Sequence, residues 1–171
     1  ESLTATAKLS AGQVVADPGQ DIAKLVVQER NGISGEIAVG FVKGLGLRRG
    51  ALGASVAHDA HPFVIAGADD QSILTALAWL REQGGGLVAC EGETILSCLP
   101  LPVAGLMSDL SLQVVAGALK MVDQAAGSLG VIGDHPCMAL SFLSLSVIPA
   151  LKLTDQGYVD LGQGGRQDLF V

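Results

Sequence analysis

Aromatic residues make up only 4 % of this 171-residue chain, so its interior has to be assembled from Val, Leu, Ile and Ala. Basic residues are scarce too. Ten Lys and Arg stand against seventeen Asp and Glu, giving a net charge of −7 and a pI near 4.7. A phosphate-backbone partner needs a basic surface, so nucleic-acid binding is excluded as a function class, and the pair Arg48 and Arg49 does not change that. Cysteine is limited to Cys90, Cys98 and Cys137, an odd number without CxxC spacing, which leaves neither a disulfide framework nor a zinc knuckle. Free thiols buried in a reducing cytoplasm are the expectation. The longest apolar run, Met138 to Leu153, is broken by Ser141, Ser144, Ser146 and Pro149, so no membrane span is expected.

What is present is an apolar content of 49 %, enough for one ordinary domain, and 23 glycines for close packing and turns. Residues 13–30 read as two short strands around the turn Asp17-Pro18-Gly19, and Asn31-Gly32 marks the next turn. Strands follow at Glu36–Val42, Ala51–Ala57 and Pro62–Gly67. Their short, glycine-containing links favour antiparallel neighbours, and a meander is the simplest arrangement. Asp69 or Asp70 caps a helix over Gln71–Gln83, in which Ile73, Leu77 and Leu80 share a face before Gly84-Gly85-Gly86 ends it. The stretches GLVACEG and ETILSCLPLP form a hairpin. A second helix runs from a cap at Ser108 or Asp109 to about Ala126, and beyond Gly127 helix and strand readings compete. The predicted fold class is α+β, a layered, mostly antiparallel sheet with flanking helices.

The segment Ser55–Pro62, SVAHDAHP, concentrates chemistry in an otherwise charge-poor chain. Two histidines, a carboxylate and a hydroxyl lie within eight residues, at a strand end or in a tight connection that can present side chains to a ligand. Ser55, His58, Asp59 and His61 are therefore the candidate substrate-binding residues. One titratable group held in a cleft can bind a polar ligand or move a proton, whereas a turn histidine and aspartate can equally satisfy their own backbone. In a strand-like setting His58 and His61 would point to opposite faces. Asp59, His135 and Cys137 add no recognised metal-ligand spacing, so no metal site is expected in this chain. Ser55, His58 and Asp59 contain the residue types of a nucleophilic triad, but neighbours in sequence rarely face one another in that geometry.

Other motifs are missing or structural. His135-Pro136-Cys137 lacks the second cysteine of the PCxxC zinc-deaminase signature, and no HxE occurs. No phosphate loop of the GxxxxGK[ST] type is present, and the glycines between Gly40 and Gly53 do not match GxGxxG. The segment Leu99–Asp109, LPLPVAGLMSD, reads first as a loop positioning the second helix and alternatively as a lid beside a ligand.

Taken in order, SVAHDAHP, GGGLVACEG, LPLPVAGLMSD and PCMALSFLSLSVIPALKLTD resemble the C-terminal domain of bacterial adenine deaminases, over roughly Asp21 to Asp160. The resemblance implies a parent of the amidohydrolase superfamily that converts adenine and water to hypoxanthine and ammonia in purine salvage. Its divalent metal, manganese or iron, would sit in an N-terminal (β/α)₈ barrel, with none held by this segment. This chain, which begins at Glu1 rather than methionine, would then be the C-terminal part of something longer. Residues 1–171 would form one domain that buttresses the barrel, inactive alone, in a cytoplasmic homo-oligomer whose partner is adenine or a related purine. His58, Asp59 and His61 occupy positions of the family motif. The family usually carries serine and asparagine at the positions of Ala60 and Pro62, proline at Ser146 and glutamate at Ala150, which points to altered substrate choice. Two alternatives stand beside it: a free-standing ligand-binding or oligomerisation domain, and a hydrolase working through Ser55 or the histidines.

Overall fold

The computed structural model describes residues 2–170. Its centre is a six-stranded antiparallel sheet built from β3 (Ile22–Gln28), β4 (Ile37–Lys43), β5 (Ala51–Ala54), β6 (Phe63–Gly67), β7 (Gly86–Glu91) and β8 (Thr94–Pro100). The strand order is β4-β3-β6-β5-β7-β8. The expected meander is therefore corrected: three hairpins are laid side by side, with β6 returning to β3 and β5 taking β7 on its other edge. Non-local pairing of this kind leaves no periodic trace in sequence. A separate pair, β1 (Lys8–Ser10) with β2 (Gln13–Val15), precedes the sheet, and β9 (Lys152–Thr154), β10 (Gly157–Asp160) and β11 (Gly165–Gln167) form a third.

Period-two alternation in the inner strands sends apolar side chains to both faces. Val26, Ala51, Ile65, Val88 and Cys90 meet α1 (Asp70–Glu82) through Ile73, Ala76, Leu77 and Leu80. Gly53 and Gly67 let this helix approach closely, because a Cβ at either would press on Leu80 or Ile73. The helix starts one residue before its expected position. Asp69 is its N-cap, accepting from the Ser72 amide at 2.7 Å and the Ser72 hydroxyl at 2.8 Å. On the opposite face Leu25, Val27, Leu52, Val64, Ala66, Leu87 and Leu99 pack under α2 (Leu112–Ser128), α3 (Pro136–Ser141) and the third sheet. Three layers result.

The second helix begins later than expected. Ser108 accepts a hydrogen bond from the Leu110 amide at 3.1 Å, so it turns the loop instead of capping the helix, and Ser111 takes the N-cap position. The ambiguous stretch after Gly127 resolves into α3, a turn of 3₁₀ helix over Phe142–Ser144, and the third sheet. Tyr158 of β10 reaches over Gly40 to the outer edge of β4, where its hydroxyl accepts from Phe41 N at 2.6 Å and donates to Phe41 O at 2.9 Å. No helix among the described residues is long and apolar enough to cross a membrane.

Candidate functional site

Antiparallel pairing brings the end of β3, the β5–β6 connection, the start of β7 and the end of β8 to the same edge of the main sheet. The connection is the segment 55–62. Strand β5 stops at Ala54, earlier than the expected Ala57, and the backbone then turns through left-handed residues at Asp59 (φ +67°) and His61 (φ +47°). The strand-like setting expected for His58 and His61 is thus replaced by a tight loop. Aspartate and histidine tolerate this conformation better than most residues, yet two such positions only two residues apart need surrounding structure to hold them.

That structure comes from Arg30, two residues past the end of β3. Its Nε donates to the His61 carbonyl at 2.9 Å and a terminal nitrogen donates to the Ala104 carbonyl at 2.7 Å. One guanidinium therefore ties the loop 55–62 to the loop after β8. Gly105 has to be glycine here, with φ +69° and a Cβ position already filled by the Arg30 guanidinium. Asn31 adds a long contact to the Ala60 carbonyl at 3.4 Å. Glu29 orders the neighbouring turn by accepting from the amides of Gly32, Ile33 and Gly35 at 3.1 to 3.2 Å. Partial desolvation works to raise its carboxyl, but bonds from the amides of Gly35, Asn31, Ile33 and Ser34 prevail and hold it below the ordinary value.

The four candidate residues do not converge. Ser55 is fully buried; its hydroxyl accepts from Gly86 N at 2.7 Å and donates to Gly105 O at 2.5 Å. It fastens three loops together, with its hydroxyl taken up by main chain. His61 is half-buried, and its Nδ1 is enclosed without a hydrogen-bond partner among the described residues. His58 and Asp59 are exposed, and the His58 ring packs on Phe142 with centroids 4.7 Å apart and planes tilted by 39°.

His58 and Asp59 form one wall of an open groove of about 320 Å³. Ser144, Ser146, Thr154 and Asp155 supply much of the rest. These lie some ninety residues downstream, and no local pattern links them to SVAHDAHP. Ser146 and Asp155 are half-buried. Arg30 was likewise invisible in sequence, since its role depends on a carbonyl 31 residues away and another 74 residues away. Among the described residues, no group of three or more His, Cys, Asp or Glu is placed to hold a metal ion. The three thiols are free, with Cys90 and Cys137 buried and Cys98 half-buried, and burial pushes Cys90 up to about 11 and Cys137 to about 12.

This fold and groove define a layered α+β domain that presents a polar loop, tied down by Arg30, at one end of its sheet. Comparison with known proteins places it further. The chain belongs to the adenine deaminase C-terminal domain family, whose sequence profile matches residues 1–164. It is 49 % identical over 154 residues to an adenine deaminase of Oleidesulfovibrio alaskensis, covering 90 % of this chain and 27 % of that protein. Against an adenine deaminase of Desulfatibacillum aliphaticivorans it is 47 % identical, covering 88 % of this chain and 26 % of the relative. An adenine deaminase of Methanothrix thermoacetophila is 41 % identical over all 171 residues, or 30 % of its own length. The chain spans under a third of each of these relatives.

Proposed function

We propose that this chain works as the C-terminal domain of an adenine deaminase, which hydrolyses adenine to hypoxanthine and ammonia in purine salvage, and that its 55–62 loop completes the nucleobase pocket. The observation carrying this reading is the family match over residues 1–164, together with 41–49 % identity to three relatives named adenine deaminase. The hydrolytic water needs activation at the carbon bearing the amino group. In this reading a divalent metal, manganese or iron, supplies that in the amidohydrolase barrel of the parent. In this reading the work of this domain, where His58, Asp59 and Asp155 share a groove, is binding and orientation.

Asp59, on a backbone held through Arg30, accepts a hydrogen bond from a purine N–H. His58, steadied by Phe142, orients that base or a water. The parent acts as a cytoplasmic homo-oligomer. The test is formation of hypoxanthine and ammonia from adenine by the full-length protein, before and after chelation and with manganese or iron restored. His58→Ala and Asp59→Asn are expected to lower kcat/KM at least about tenfold, the loss of one good polar contact. A full-length protein that forms no hypoxanthine with either metal overturns the reading, and unchanged kinetics in both variants removes the loop from it.

A further inference from the structure

The groove has a second wall to which the reading above assigns no task. We propose that Ser144 and Asp59 together recognise the edge of a free purine base that carries N3 and N9–H, so that this groove separates adenine from its nucleosides and nucleotides. This rests on the reading that a purine meets the 55–62 loop.

Ser144 is 8 % exposed, and its enclosed hydroxyl has no hydrogen-bond partner among the described residues. The other buried serines differ: Ser55 bonds Gly105 O, Ser72 bonds Asp69, and Ser141 bonds Met138 O at 2.7 Å. Thr154, also on the groove, gives its hydroxyl proton to Gly157 O at 3.0 Å. Ser144 is thus the buried hydroxyl on this groove with a proton still to donate, and a buried polar group without a partner is one that a ligand can satisfy. Asp59 offers the complementary acceptor, since its carboxylate makes no hydrogen bond or ion pair among the described residues. A free purine sets an acceptor, N3, beside a donor, N9–H. One hydroxyl donor and one carboxylate acceptor match that pair, and a sugar on N9 removes the donor. Asp155 on the same groove adds a second negative charge, which rejects a ribose phosphate more strongly than a neutral ribose. A volume of about 320 Å³ is at the small end of the range for small-molecule sites.

The test is equilibrium binding of adenine, 3-deazaadenine and 9-methyladenine, measured after chelation so that adenine is not consumed, to the full-length protein and to its Ser144→Ala variant. Wild type is expected to bind 3-deazaadenine, which lacks the N3 acceptor, about three- to tenfold more weakly than adenine. The variant should bind the two alike, as a double-mutant cycle requires. Adenine should also bind at least about tenfold tighter than 9-methyladenine, in which N9–H is blocked. A Ser144→Ala variant that keeps the full preference for adenine over 3-deazaadenine overturns the proposal, as does equal binding of adenine and 9-methyladenine by wild type. Adenine that is turned over without either preference leaves the deaminase reading standing and removes this one. Adenine that neither binds nor reacts removes both.

Discussion

Replacing Ser55 with alanine separates a structural hydroxyl from a chemical one. The side chain is fully buried, with Gly86 N at 2.7 Å and Gly105 O at 2.5 Å from its oxygen. Removing it strands one main-chain donor and one acceptor where the packing is tight: a Cβ on Gly85 would fall 2.7 Å from that oxygen. An unsatisfied buried group costs about 1–3 kcal/mol, and two share this hydroxyl, so we expect Ser55→Ala to lose about 2–3 kcal/mol. Domains of this size are stable by only about 5–15 kcal/mol, and the melting point should fall by about 5–10 °C. Urea unfolding monitored by fluorescence of Trp79 measures the loss. Hydrogen exchange should show protection falling first at Gly86 and in residues 101–106. A loss below about 0.5 kcal/mol with unchanged exchange would refute the account, because two buried groups cannot be stranded so cheaply. Catalysis in the full-length protein that falls by orders of magnitude in a fully stable variant would do so as well.

Arg30→Ala removes the bonds to His61 O and Ala104 O and should cost about 1–2 kcal/mol, with faster exchange across residues 58–61; Arg30→Lys, lacking the fork, should recover less than half of that loss. Burial raises the Asp123 carboxyl above its ordinary value, with His135 opposing. Folding therefore favours its neutral form, and the stability this brings is complete below about pH 4 and lost as pH rises through the raised value. Asp123→Asn should be more stable than wild type at pH 7 by a few tenths of a kcal/mol in urea titrations, given its partial exposure, with no gap below about pH 4. With Cys90 near 11 and Cys137 near 12, neither thiol should react with a disulfide reagent at pH 7.5 in the native protein, while Cys98, also raised by burial, should react slowly. All three should react in denaturant. Rapid native labelling of Cys137 would contradict its burial.

The helix α1 was legible nearly to the residue because its signals are local: an aspartate cap, a 3.6-residue apolar repeat, and three glycines at its exit. The strand centres were legible for the same reason. Strand β1 escaped because Lys8–Ser10 is short and fully exposed, so nothing in its pattern marks a buried face. Sheet order escaped because β3 chooses β6 through partners 35 to 43 residues apart. The site divides in the same way. SVAHDAHP stood out by composition, which located His58 and Asp59, but composition could not tell that Ser55 is turned into the packing while Ser144 and Asp155 join the groove.

Tyr158 closes an edge that would otherwise be sticky. Among the described residues strand β4 has no neighbour beyond it in the sheet, and it carries exposed Ile37 and Val39, the features that invite another chain to add a strand. The phenol occupies the free amide and carbonyl of Phe41, as a partner strand would. It is encoded 117 residues downstream. At ribosomal rates of about 5–20 residues per second, the edge emerges roughly 6–23 s before its guard. During synthesis, then, this protein passes through an interval in which β4 can pair with a neighbouring nascent chain, and a chaperone holding the segment from β3 to β8 would matter more to its yield than to its final stability.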